Sequence, residues 1–245
     1  GFLREEFNQL YPALFDNAEL HIRIIRLLAS TWQGLTRKEI VEKGKFSDGG
    51  NISKTLEELV QSDFIQAFYH FGKKKKGIHY RLMDEYSIFY LKFIEDQRLE
   101  EVGMWEKFSQ TQTFKIWTGY AFENICLRHI PQIKKVLGIS GVYSETSTYR
   151  SQANDEVAGA QIDFLIDRND HIINLFEVKF HNTEFIVKQS YASALRKKMG
   201  IFQHNTNTKK LLSWVLITTF GLEKNKHNIG LIDHVITMDA LFEKV

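Results

Sequence analysis

Apolar positions along this chain repeat at two different periods, and each change of period marks an element. Residues 2–15 mix apolar and acidic side chains and predict a short lead-in helix. Over 18–30, Leu20, Ile24, Leu27 and Leu28 recur at helical spacing. Thr36-Arg-Lys-Glu39 is a capping box that opens a short helix, which Gly44 ends. A third helix over 51–62 turns Ile52, Leu56, Leu59 and Val60 inward. Strands over 64–69 and 78–82 flank the turn Gly72-Lys-Lys-Lys-Lys-Gly77. Tyr86, Phe89, Tyr90 and Phe93 give an aromatic connecting helix, and 95–106 is charged and exposed.

A second set of elements follows. Residues 114–130 predict a helix that Pro131 stops, with Ile116, Tyr120, Glu123, Leu127 and Ile130 on one stripe. A strand over 141–151 precedes the stretch GAQIDFLIDRNDHIINLFEVKF at 159–180, two strands around an Arg-Asn-Asp turn. Alternation places Ile162, Phe164 and Ile166 on one face and Asp163 on the other. It likewise sets Phe176, Val178 and Phe180 against Glu177 and Lys179. A helix over 185–204 buries Val187, Tyr191, Leu195 and Met199, and its other face carries Lys188, Gln189, Arg196, Lys197 and Lys198. The run 211–219 reads as a buried strand, 230–238 as a last strand and 239–245 as a final helix. These elements divide the chain into 1–84, a connecting segment 85–113, and 114–245.

Composition narrows the classes. With 245 residues the chain holds one or two domains, and its net charge of +2 gives no global basic field. A nucleic-acid surface would have to be local. Cys126 is the lone cysteine, which excludes an internal disulfide and a cysteine-based zinc site and fits a reducing, cytoplasmic setting. No apolar run approaches the ~18 residues of a membrane span, and no signal peptide is present. No phosphate-binding G-x-x-x-x-G-K-[ST] loop occurs, so this chain alone hydrolyses no ATP. It opens on Gly1 and not on methionine, as a piece of a longer protein does.

The candidate chemistry sits in the 159–180 hairpin. If its strands pair, Asp163, Glu177 and Lys179 converge in one patch. Two carboxylates suit a hard cation, Mg2+ or Mn2+, and a lysine beside them steadies developing negative charge. Glu123 interrupts an apolar stripe, and a buried carboxylate needs a cation, a donor or water. The same spacings also fit a hairpin with a wet outer face and a glutamate that reaches solvent. Between Lys179 and Lys210 basic residues outnumber acids seven to one, beside the patch. Gln189, Arg196 and Lys197 are the candidate substrate contacts there.

Asp163 followed by Glu177-Val178-Lys179 resembles the active site of the PD-(D/E)xK nucleases. Ile162 stands where that motif has its proline. The order helix, three strands, helix, strand matches restriction-endonuclease-like folds, in many of which a glutamate from the preceding helix, here Glu123, joins the metal shell. The first 84 residues resemble a winged helix-turn-helix. Lys54 would lie on its recognition helix, and Lys73, Lys74, Lys75 and Lys76 on its wing, where lysines contact phosphates without reading sequence. Many such modules dock proteins instead. Over nearly its whole length the chain resembles the C-terminal half of bacterial and archaeal AAA-type ATP-binding proteins. LREEFNQLYPALF, GLTRKEI, FIQAFYHFGKKKKGIHYRLMDEYSIFYLKFIED, WTGYAFENICLRHI, GAQIDFLIDR and LFEVKF carry that likeness.

The resemblance implies a two-part α+β and α/β chain, a winged helix followed by a nuclease-like domain. It also implies DNA as partner, an ATPase module elsewhere in the full protein, and room for an oligomer. Three functions follow: a metal-dependent DNA nuclease, a DNA-binding or regulatory module that does not cut, and a protein-interaction half that governs the ATPase.

Overall fold

A computed structural model describes residues 2–73, 77–95, 104–153 and 159–244. The chain divides into two compact units, residues 1–69 with 73–111, and 70–72 with 112–245. By its contacts the segment 85–111 belongs to the first unit.

The first unit contains α1 (Phe2–Leu14), α2 (Ala18–Ala29), β1 (Leu35–Thr36), α3 (Arg37–Gly44), α4 (Gly50–Gln61), β2 (Ile65–Tyr69) and β3 (Ile78–Leu82). Its antiparallel sheet has the order β1-β3-β2. The strand β1, too short to carry a period, is not foreshadowed by the hydropathy pattern. The helices bury Phe7, Tyr11, Ile24, Leu28, Ile40, Ile52, Leu56 and Leu59. Both halves of the capping box form: Glu39 N donates to Thr36 Oγ1 at 3.2 Å, and Thr36 N donates to Glu39 Oε2 at 2.8 Å. Thr36→Ala is expected to lower stability by ~1 kcal/mol in chemical denaturation, because it leaves a helix-end donor unsatisfied. Gly44 is the last helical residue, and Lys45 takes the left-handed cap (φ 51°). A Cβ on Gly44 would meet the Phe46 ring at 2.1 Å, which accounts for the glycine. Beyond β3 come α5 (Glu85–Phe89), which runs without a break into a π-helical turn (Tyr90–Ile94), and α6 (Met104–Ser109), so the expected aromatic helix is present and changes from α to π at Tyr90.

The second unit is built on a five-stranded sheet. Its elements are α7 (Gln112–Arg128), α8 (Ile130–Val136), β4 (Ser144–Ser151), β5 (Ala160–Arg168), β6 (Ile172–Lys179), α9 (Gln189–Thr206), β7 (Leu211–Thr218) and β8 (His234–Thr237), with a 3-10 turn over Met238–Phe242. The strand order is β4-β5-β6-β7-β8, antiparallel from β4 to β6 and parallel from β6 to β8. The central strands are apolar on both faces, as strands covered by helices require. Phe164 and Phe176 stack at 4.2 Å on one face, while Leu165, Ile173, Leu175 and Trp214 pack with Ala192, Leu195 and Phe202 of α9 on the other.

Three expectations change here. Pro131 does not close the chain's helical run but sits in the first turn of α8, where a missing N–H costs nothing. Ile116 of the expected stripe is exposed, whereas its Glu123 and Leu127 are buried, together with Phe122, Asn124 and Cys126. The alternation in β5 breaks as well. Ser147 pairs with Leu165 but Tyr149 with Ile162, so β5 carries one residue more than β4. This bulge moves Ile162 onto the face of Leu165, into the cluster under α9, and away from Phe164.

Candidate active site

The bulge falls at Asp163. The β5–β6 ladder runs from Asp167↔Ile173 to Phe164↔Phe176, and Asp163 lies one step past its end. Its Oδ2 accepts from the Val178 backbone N–H at 2.8 Å, so the carboxylate stands in for a ladder carbonyl and is fixed by the neighbouring strand.

Glu177 on β6 faces α9 and is only 3% exposed. Its Oε1 accepts from the Tyr191 hydroxyl at 2.7 Å and from Lys179 Nζ at 2.9 Å. Its Oε2 accepts from Lys198 Nζ at 2.7 Å. Tyr191 and Lys198 stand seven residues apart on α9, two turns along one face. Glu123, 7% exposed, comes from α7, which packs on β6.

Electrostatics tie these groups into one site. Burial, and then the charges of Glu177 and Glu123, push the Asp163 carboxyl up to about 8, against the pull of Lys179. Burial would also raise Glu177, but Lys179 and Lys198 outweigh it and hold that carboxyl below its ordinary range. Burial disfavours the Lys179 ammonium, yet Glu177 and Asp163 hold it above the usual lysine range. The Tyr191 phenol is driven upward by burial and by Glu177, so it stays a donor. Cys126 is raised by burial, Glu123 and Asp163, and remains an unreactive thiol.

Asp163, Glu177 and Lys179 thus lie at adjoining ends of β5 and β6, and Glu123 acts on Asp163 and Lys179 through its charge. Among the described residues, no group of three or more His, Cys, Asp and Glu side chains is disposed to hold a metal ion. The donor chemistry nonetheless fits one. All three acids are oxygen donors, and the charges of Glu177 and Glu123 help burial to raise the Asp163 carboxyl, a push that a nearby cation would oppose. What stands against a ready metal seat is Glu177, whose two oxygens both meet ammonium groups.

Lys198 is the site residue that the hydropathy pattern assigns to a solvated helix face. A signal for it exists, since Lys198 follows Tyr191 and Leu195 along the buried stripe at i+7 and i+3. Gln189, Arg196 and Lys197 are exposed on α9. The helix starts at Gln189 and not at 185, because Phe185 pairs instead with Leu222. In the first unit Lys54 is exposed on α4, 3.6 Å from Glu58, and Lys73 is exposed. Lys74, Lys75 and Lys76 lie outside the described residues.

No protein-family model and no curated protein matches the chain. A solved structure described as a protein of unknown function, AF1548, is similar at 15% identity and a TM-score of 0.34. The similarity covers 48% of this chain and 64% of that one, less than two thirds of its length.

Proposed function

We propose that the chain is a metal-dependent DNA nuclease, the C-terminal part of an AAA-type ATP-binding protein of the cytoplasm. Residues 1–84 act as a winged helix-turn-helix that docks duplex DNA, and 114–245 form a restriction-endonuclease-like domain that cuts a phosphodiester. One observation carries the proposal: the buried acids Glu123 of α7 and Glu177 of β6 act by charge on the half-buried Asp163 of β5, beside Lys179, and raise its carboxyl. Asp163, Glu177 and Glu123 would hold Mg2+ or Mn2+, which supplies water activation and charge stabilisation at phosphorus when bound. Lys179 offers its ammonium to the phosphate, and Tyr191 orients Glu177. Arg196, Lys197 and Gln189 guide the backbone along α9.

Plasmid cleavage tests this directly. Cutting is expected in Mg2+, none in EDTA, and a fall on the order of a hundredfold in Lys179→Ala. Cleavage that ignores EDTA, or that survives Asp163→Ala unchanged, would overturn the proposal. Changing Lys73 to Lys76 to glutamine is expected to weaken DNA binding alike for all sequences. It should also flatten the salt dependence by up to ~3.6 in log–log slope, about 0.9 for each phosphate no longer neutralised. An unchanged slope would remove the wing from the interface. The hold of Lys198 on Glu177 favours a second reading, DNA binding without cleavage. Salt-sensitive binding with no cut under any metal would select it.

A further inference from the structure

Exposed apolar side chains gather at the carboxyl ends of β6 and β7. Phe180, Ile186 and Phe220 keep 41%, 48% and 57% of their surfaces in water. Phe180 directly follows Lys179 at the end of β6, and Phe220 follows Thr218 and Thr219 at the end of β7. The last pair of the parallel ladder is Lys179↔Thr218, so the two phenylalanines leave neighbouring strand ends. Open α/β sheets take their ligands beyond such carboxyl ends. The loops there are tied down. His181 N donates to Thr219 Oγ1 at 2.8 Å, Gly221 N to Thr218 Oγ1 at 2.8 Å, and Asn225 Nδ2 to the Val187 carbonyl at 3.2 Å. The Phe180 ring meets Phe122 of α7 edge-on at 5.9 Å, and Glu123, the next residue of α7, acts by charge on Lys179. The ring and the ammonium therefore share one neighbourhood. Lys188, Lys224 and Lys226 are exposed on the same two loops, against Glu184 and Glu223. So slight an excess of positive charge gives a phosphate backbone little hold by itself.

We propose that Phe180 and Phe220 stack the bases of an unpaired DNA strand, with Ile186 beside them, so that the site takes single-stranded or locally melted DNA. This rests on the nuclease proposal and names the form of its substrate. An aromatic ring holds a base by its face, and a base shows its face only outside the duplex, since a paired base presents its edges to the grooves. Stacking tolerates any sequence because every base has such a face. The three lysines meet the phosphates between stacked bases, and the rings supply the affinity that the modest charge does not. The fixed loops keep the rings in place before the strand arrives, so little ordering is lost on binding.

The test uses the full chain in EDTA and fluorescence anisotropy, so that binding is read apart from cutting. The probes are a labelled thymidine oligomer, the same oligomer with its central bases removed, and a duplex of equal length. The wild type is expected to hold the abasic oligomer on the order of tenfold more weakly than the intact one, although both carry the same phosphates. Phe220→Ala should weaken the intact oligomer about tenfold and leave the abasic oligomer and the duplex unchanged. Phe220→Tyr keeps a ring face and should bind like the wild type. Phe180→Ala should act as Phe220→Ala does, and the Phe220 pair decides alone should loss of the Phe122 contact unfold the Phe180 variant. A 2-aminopurine placed in the oligomer should be quenched by the wild type and not by Phe220→Ala. Equal affinity for the intact and abasic oligomers, or an unchanged affinity in Phe220→Ala, would overturn the proposal. So would a wild-type dimer in sedimentation velocity that Phe220→Ala dissolves without touching oligomer affinity, which would give this face to a second copy. The nuclease proposal fails separately: a wild type that quenches the oligomer but cuts nothing in Mg2+ or Mn2+ would sink that reading and uphold the stacking.

Discussion

Asp163→Asn is expected to melt higher than the wild type at pH 9 without metal, and to cut DNA on the order of a thousandfold more slowly with it. The two effects share one cause. Burial, then Glu177 and Glu123, push Asp163 up to about 8 in the folded chain, against ~3.9 in an unfolded one. The folded state therefore binds a proton that the unfolded state has released across that window. Stability from this group is complete below ~4 and falls as pH rises through about 8. Asparagine cannot ionise, and it can still accept from Val178 N–H. Its advantage at pH 9 should be on the order of 3 kcal/mol, less than the ~1.4 kcal/mol per unit of the whole shift, because the carboxylate keeps some water. Thermal denaturation of both proteins at pH 6 and pH 9 checks it. A variant that melts lower at pH 9, or a wild type whose melting ignores pH across this range, would deny that Asp163 is strained by its neighbours. Added Mg2+ should narrow the gap by stabilising the wild type alone.

Much of this site is legible in the pattern of residue types, and its gaps have physical reasons. Glu123 stands out as an acid on an apolar stripe, and it is indeed buried. The run at β7 declares itself by having no polar alternation, and Thr36 and Glu39 declare a helix start by local chemistry alone. For Asp163 the pattern finds the strand but not the full reason for the side chain's aim. Strict period two carries it to the far face from Ile162, whereas the bulge sets Ile162 with Leu165 and aims the carboxylate at Val178 N. An extra residue in a ladder depends on the partner strand, which hydropathy along one strand does not carry. The start of α9 shifts for a similar reason. Phe185 N donates to Gly221 O at 2.9 Å and its carbonyl accepts from Glu223 N at 3.0 Å, partners some 37 residues away along the chain that hold 185 extended. Lys198 is hidden because lysine on a helix usually faces water, and only the buried acid opposite it reverses that preference.

That opposition leads to the largest destabilisation expected in the fold. Glu177→Leu removes the one acid that both lysines meet and leaves two ammonium groups, 33% and 27% exposed, beside an apolar wall. Breaking a buried pair in this way costs ~3–5 kcal/mol, and the partial exposure of the lysines puts the expected figure near the lower bound. Glu177→Gln should cost less, since it keeps the volume and can still accept from Tyr191. The diagnostic is the double variant Glu177→Leu with Lys198→Met. It removes one stranded charge along with its acid and should recover ~1–2 kcal/mol relative to the sum of the single effects, as residues that touch directly do. Urea denaturation of the four proteins measures that coupling. Additive effects would mean that Lys198 merely rests near Glu177. The pH dependence should run opposite to that of Asp163. Lys179 and Lys198 hold the Glu177 carboxyl below its unfolded value despite burial. Its contribution is therefore present above the ordinary carboxylate range and is lost as acid protonates the folded chain. The wild type is then squeezed from both sides, by Glu177 in acid and by Asp163 in base, and the leucine variant should lose the acid limb and show a weaker base limb, because the Glu177 charge helps to raise Asp163.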